Sequence, residues 1–373
     1  MRSHALGADQ SIPMARRPHS TDSVRRASSG RTVSGRPAVA RYTASKGCRL
    51  TEAHAPGKVI LLGEHAVVYG RPAIAVPVAD VHASVIVEDV GDPGVTIRAK
   101  DIGRTLDVSR APPDEPLCLT ARNTLAHIGL SPQDVHLRLT IRSAIPVASG
   151  LGSGAAVATA MVRALSAHLG RPLDAEAVSS LVYRTEEIYH GTPSGIDNTV
   201  VAFERPVYFR RGHPIQPFAV ERPFWLAIAD TGAPSLTKAS VADVRAAWQR
   251  EPARVEGVFD RIAAVVDRAR QAIERGDVRE LGPLMVHNQQ LLRCLDVSSP
   301  VLEMLIEAAL DAGARGAKLS GGGRGGNVIA AIEPADAERV RRGLVAAGAV
   351  NVIVTRVGEG DGGSESTDRG AGS

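Results

Sequence analysis

Residues 146–156 read PVASGLGSGAA, three glycines, three alanines and two serines standing between two regular patterns. Upstream, residues 135–141 (VHLRLTI) alternate apolar with polar and predict a strand. Downstream, Val157, Met161 and Leu165 recur at helical spacing until Gly170, Arg171 and Pro172 stop the pattern. The order is strand, glycine loop, helix. Glycines let a backbone turn tightly and bring its N–H groups close to a ligand, and a helix N-terminus carries positive partial charge, so the stretch suits a phosphate. It has neither the GxxxxGK[ST] spacing nor the GxGxxG spacing of the familiar nucleotide turns. By itself it reads as a tight structural turn as readily as an anion site.

The chain of 373 residues is long enough for a sizeable core and predicts two domains. It is 44% hydrophobic without an apolar run near 18 residues, a pattern that excludes a helical membrane protein. Cys48, Cys118 and Cys294 are odd in number, far apart and without metal-ligand spacing, which argues for reduced thiols and a cytoplasmic setting. The formal net charge of +4 is unevenly spread. Residues 1–50 hold ten Arg or Lys against Asp9 and Asp22, so the remainder of the chain is acidic. That basic tail holds one aromatic, Tyr42, and no basic motif follows it, so a nucleic-acid partner is not expected. The tail and the Gly-, Ser- and acid-rich residues 358–373 are expected to be disordered.

Ordered chain is expected from Thr51. Residues 55–78 read APGKVILLGEHAVVYGRPAIAVPV, three apolar runs that predict strands, broken by Glu64 and His65 and then by Gly70, Arg71 and Pro72. The charged pair reads either as a site or as a turn facing water, and Lys58 either as a ligand group or as an exposed lysine. Short strands are predicted at residues 81–87 and 95–99, and a helix at 116–128. A second helix, 175–190, carries an apolar stripe of Ala177, Val178, Leu181, Val182, Ile188 and Tyr189. Glu187 falls opposite the stripe beside Arg184. Glu186 falls at its edge, where a carboxylate is either an ion-pair member or a ligand. The following HGTPSGIDNTV puts Asp197 among turn residues. Beyond a boundary expected near residue 222 come a buried strand (224–229), helices at 241–248, 255–274, 280–292 and 300–312, a second glycine-rich stretch AKLSGGGRGGNVIAA (317–331) running into a strand, and a last strand at 350–357.

Three of these segments, APGKVILLGEHAVVYG, IPVASGLGSGAA and KLSGGGRGGN, resemble the three motifs of the GHMP kinases in order and in spacing. The chain is most similar to the mevalonate kinase branch of that superfamily. GEHAVVYG after PGK resembles the first motif of that branch, whereas galactokinases have arginine and asparagine where Lys58 and Ile60 stand. EEIYHGTPSGIDN and DTGAPSLTK resemble two further segments of it. The resemblance spans residues 53 to about 357, essentially all of the chain expected to be ordered.

The resemblance implies an α+β, two-domain GHMP kinase fold, with a ribosomal-S5-like N-terminal domain (51–222), a ferredoxin-like C-terminal domain (223–357) and ATP between them. It implies ATP-dependent phosphorylation of the primary (C5) hydroxyl of mevalonate in isoprenoid precursor biosynthesis. Other GHMP kinases, such as a phosphomevalonate kinase or a mevalonate 3-kinase, and a non-catalytic sensor on the same fold are the alternatives. By resemblance Pro146, Ser149, Gly150, Leu151, Gly152, Ser153, Gly154, Ala155 and Ala156 bind ATP. Asp197 is the catalytic aspartate and Lys58 the lysine beside it. Lys58, Glu64, His65, Asp197, Gly322 and Gly323 meet the substrate. Glu186 and Ser153 hold Mg²⁺, Gly154 standing where many relatives have a second serine. Mevalonate and ATP are the implied partners, with no nucleic acid and no membrane; a homodimer is left open.

Overall fold

The computed structural model describes residues 41–45, 48–146, 149–190 and 194–358. Arg41–Ser45 (β1) and Cys48–Leu62 (β2) pair antiparallel, and β2 pairs in turn with Ala73–Asp89 (β3). Strand structure therefore reaches ten residues upstream of Thr51, into the span expected to be tail; residues 1–40 and 359–373 lie outside the described residues. Tyr42 and Thr43 favour extended backbone, and the edge of β2 offers them a ladder. β3 fuses two strands expected separately, its outer half alternating buried with half-buried from Ala83 onward. Between β2 and β3, residues 66–69 are not extended. They make one 3-10 turn closed by Gly70 in the left-handed region, whose N–H donates to Ala66 and Val67.

Gly94–Ala99 (β4) and Arg104–Asp107 (β5) form a hairpin, and β4 runs parallel to His136–Ser143 (β6), the connection carrying Pro116–His127 (α1). Glu115 caps α1 by accepting from the Cys118 N–H, with Pro116 at the first helical position. Ser153–His168 (α2) lies on β2 and β3, with Ala175–His190 (α3) and Ile196–Phe203 (α4) packed beside it. Val207–Phe209 (β7) and Gln216–Pro217 (β8) complete the sheet, ordered β1-β2-β3-β6-β4-β5 with β7 on the inner half of β3.

The second sheet is antiparallel, ordered β10-β11-β9-β12, from Phe224–Asp230 (β9), Gly316–Ser320 (β10), Asn327–Ile332 (β11) and Asn351–Val357 (β12). The helices Thr237–Arg250 (α5), Pro252–Arg275 (α6), Leu281–Arg293 (α7) and Pro300–Asp311 (α8) match the four expected ones, with α7 and α8 against β10. Ala337–Ala346 (α9), not expected, buries only Val340 and Leu344, too sparse a stripe to stand out among its charges. Strand β10, also not expected, hides behind the glycines that follow it. Both sheets belong to one compact unit, and the link between β8 and β9 separates the elements of the first sheet from those of the second. Among the described residues no helix is long and apolar enough to cross a membrane.

Candidate active site

The glycine loop folds as its composition dictates. Gly150 and Gly152 take φ of +78° and +73°, and Gly152 is the residue from which α2 springs. A side chain at Gly152 would also come within 2.8 Å of the Lys58 Cγ, so two constraints converge there. The loop is fastened from both sheets. The Lys58 N–H donates to the Leu151 carbonyl at 2.9 Å, and the Asn327 amide donates to the Ser149 carbonyl at 2.5 Å. Within the loop the Ser149 hydroxyl donates to Pro146 at 2.7 Å.

A cavity of about 620 Å³ opens over this loop. Pro146, Ser149, Gly150, Leu151, Gly152, Ser153, Gly154 and Ala155 line it, together with Lys58, Glu186 and Asp197. Ala156 does not: it is fully buried beneath, and its N–H already donates to Gly152 at 2.9 Å. The remaining wall is apolar at Ala99, Ile102, Leu117, Ile141 and Ile145, with Asp101, Arg104 and Glu115 at its edge. These wall residues carry no motif because they come from β4, β5, α1, β6 and the short turns beside them.

Lys58, from the middle of β2, is buried, and its Nζ stands 3.2 Å from the Asp197 Oδ1. Asp197 is not in a turn, as its neighbours suggested, but in the first turn of α4, because Gly195 at φ +83° starts a helix from the run Ile196–Phe203. Glu186 is 6% exposed, and Glu187 is exposed, as the helix register requires. Burial, and then the nearby Asp197 charge, push the Glu186 carboxyl up to about 7, against a smaller opposing pull from Lys58. An anion in that position favours a cation beside it, and oxygen donors suit Mg²⁺. A side chain at Gly154 would meet the Glu186 Oε1 at 3.5 Å, ordinary contact, so a second loop serine would face this carboxylate without a clash. No cluster of three His, Cys, Asp or Glu suited to a metal occurs among the described residues.

These shifts have signs that can be measured. Between its unfolded value near 4.3 and about 7, Glu186 binds its proton more tightly when folded, so its contribution to stability falls as pH rises through that window, by about 3–4 kcal/mol at most. His65 acts oppositely: burial lowers it to about 4, so stability falls as pH drops from 6.5 toward 4. Glu186→Gln removes the first effect alone. Its stability relative to the parent should rise between pH 5 and 8 in urea titrations of the ligand-free protein, with exposed Glu187→Gln flat; a flat Glu186→Gln difference contradicts this account.

The remaining sequence candidates assemble elsewhere. Glu64, His65, Gly322 and Gly323 do not line the cavity. Glu64 is buried, paired with the Lys318 ammonium and accepting from the Asn288 amide at 3.3 Å. His65 has φ +61° and ψ −51°, the Ala66 N–H closing back on the Glu64 carbonyl at 2.7 Å, a strained three-residue turn. The neutral His65 Nε2–H donates to the Gly322 carbonyl at 3.1 Å. Gly322 is pressed against Thr237, where a Cβ would come 2.5 Å from the hydroxyl, and a Cβ on Gly323 would come 2.0 Å from the Val297 carbonyl. The second glycine stretch thus packs against the segment that holds DTGAPSLTK. Lys318 and Asn288 have no sequence signal beyond a lysine standing between Ala317 and Leu319; the structure puts that lysine on a strand buried at every position, where it needs a partner.

The description "GHMP kinases N terminal domain" matches residues 117–204, and "GHMP kinases C terminal" matches residues 269–350. Mevalonate kinase of Pyrococcus horikoshii is 35% identical over 323 residues, covering 82% of this chain and 95% of that protein. The structure of L. major mevalonate kinase in complex with R-mevalonate superposes with a TM-score of 0.73 at 29% identity, covering 85% of this chain and 97% of that one. Streptococcus pneumoniae phosphomevalonate kinase, in complex with phosphomevalonate and AMPPNP, gives 0.66 at 18% identity over 81% and 98%, a likeness of fold alone. With a mevalonate kinase 35% identical over 82% of the chain, a segment of each half matched by the GHMP kinase descriptions and the α+β fold in agreement, the chain belongs to the mevalonate kinase family of the GHMP kinases.

Proposed function

We propose that this chain transfers the γ-phosphoryl group of ATP to the C5 hydroxyl of mevalonate. The observation that carries the reading is the Lys58–Asp197 pair, 3.2 Å apart, at the phosphate-loop end of a nucleotide-sized cavity. The loop residues 150–155 and the N-terminus of α2 supply N–H groups and positive partial charge for the phosphates. The apolar wall from Ala99 to Ile145 suits a purine face. Asp197 accepts the proton of the attacking hydroxyl as the new O–P bond forms and the bond to the β-phosphate oxygen breaks. Lys58 orients that carboxylate and sets a cation beside the oxygen from which the proton departs.

Glu186 and Ser153 would hold Mg²⁺. When bound, the ion neutralises phosphate charge. Support for the substrate comes from the mevalonate kinase relatives, one of them described with R-mevalonate. The test is ATP turnover with mevalonate, 5-phosphomevalonate, galactose and homoserine in parallel. Turnover with mevalonate alone is expected. Preference for phosphomevalonate, or ATP binding without turnover on any acceptor, overturns the reading.

A further inference from the structure

The phosphate loop is held on one side by Lys58 of β2, in its own sheet, and on the other by a side chain 178 residues away. That side chain is Asn327, the first residue of β11, just after the second glycine stretch, and it is 4% exposed. Its orientation is fixed by chemistry: the Ser149 carbonyl only accepts, so the amide nitrogen faces it. The carbonyl lies one residue before Gly150, where the chain enters the two left-handed positions of the cavity-lining loop, Gly150 and Gly152. A Cβ on Gly150 would sit 3.9 Å from the same amide nitrogen, so Asn327 packs along the loop as well as bonding to it.

We infer that Asn327 is a positioning residue for the nucleotide, acting on the triphosphate through the Ser149 carbonyl. Its side chain is absent from the cavity lining. Its work is to hold one peptide plane so that the next N–H groups converge. The inference rests on the reading of this loop as a phosphate site. It makes nucleotide affinity depend on a residue of the second sheet, and it predicts a charge-sensitive position: an aspartate there has no N–H to give the carbonyl and adds an anion beside a site for anions.

The experiment is calorimetric titration of the full chain with Mg·ATP, without acceptor, followed by steady-state kinetics. Asn327→Ala should weaken ATP binding about 3- to 10-fold, the worth of one net hydrogen bond. Asn327→Asp should weaken it further, about 30-fold or more, with charge added to a partly shielded site. In both, the KM for ATP should rise while the KM for mevalonate and kcat at saturating ATP stay within about twofold. A residue that merely stabilised the fold would shift the two KM values together or neither. The control is exposed Asn351→Ala, the neighbour of Asp230 on the opposite side of β9 from Asn327, expected to bind ATP normally. Should Asn327→Asp not fold, Asn327→Ala and Asn327→Ser carry the test. If the parent protein binds no ATP, the phosphate-site reading itself fails. If parent and Asn327 variants bind ATP alike, or mevalonate KM rises with ATP KM, this inference alone is overturned.

Discussion

Asp197→Asn should lower kcat by about 10²- to 10⁴-fold while leaving ATP and mevalonate affinity near normal. The asparagine keeps the shape and length of the side chain, so its place in the first turn of α4 is undisturbed, and Lys58 keeps an oxygen to approach. What is lost is the acceptor for the hydroxyl proton, which matters only as the O–P bond forms. The defect should therefore appear in kcat and kcat/KM equally. Binding is measured separately by calorimetry with each substrate. Full turnover by Asp197→Asn would remove proton acceptance from the mechanism, and loss of ATP affinity would reassign Asp197 to binding.

Lys318→Met should destabilise the protein by about 3–5 kcal/mol, the typical result of leaving one member of a buried ion pair without the other. Lys318 is 0% exposed on β10, and burial pushes its pKa down while Glu64 pulls it back up. Removing it strands the Glu64 carboxylate with the Asn288 amide as its remaining hydrogen-bond donor in this cluster. Against the roughly 5–15 kcal/mol that typically separates folded from unfolded chains, the loss is large. The double change Lys318→Met with Glu64→Gln removes both charges and should recover at least half of it, because the neutral amide still accepts from Asn288. Urea unfolding of the three proteins decides the matter. A single-variant loss below 1 kcal/mol, or a double variant as unstable as the single, refutes the pair's role.

Elements with a strong period were legible in the sequence. The register of α3 separated Glu186 from Glu187 correctly because a single side of that helix meets the core, and one residue of rotation moves a carboxylate from cover to water. The strand–loop–helix order around residues 146–156 was equally plain. Legibility failed where a glycine decided the backbone. Gly195 starts a helix in what reads as a turn, and Gly70 closes a 3-10 turn in what reads as a strand. It failed again for long-range partners. Nothing local to Glu64 announces a lysine 254 residues downstream, and nothing near Ser149 announces Asn327. Resemblance assigned Glu64 and His65 to the site, but the hydrogen bonds that fix them are visible only in three dimensions.

The fastening of the Glu64–His65 turn also sets the order of events during synthesis. Its three ties, Lys318 to Glu64, Gly322 to His65 and Ser320 to the Ile60 carbonyl, span 254, 257 and 260 residues. At about 5–20 residues per second, the ribosome delivers those partners on the order of 10–50 s after the turn itself has been made. During that interval a strained backbone and a carboxylate meant for burial have no counterparts, so β2 should close its ladder with β3 while the chain just beyond Leu62 stays open to solvent. Pulse-labelled hydrogen exchange during refolding should find the Ala66 amide protected later than the ladder residue Val59; simultaneous protection would mean that the turn forms without its distant ties. A ribosome stalled after residue 156 but before residue 327 therefore holds a nascent chain whose phosphate loop has been made but whose second anchor has not.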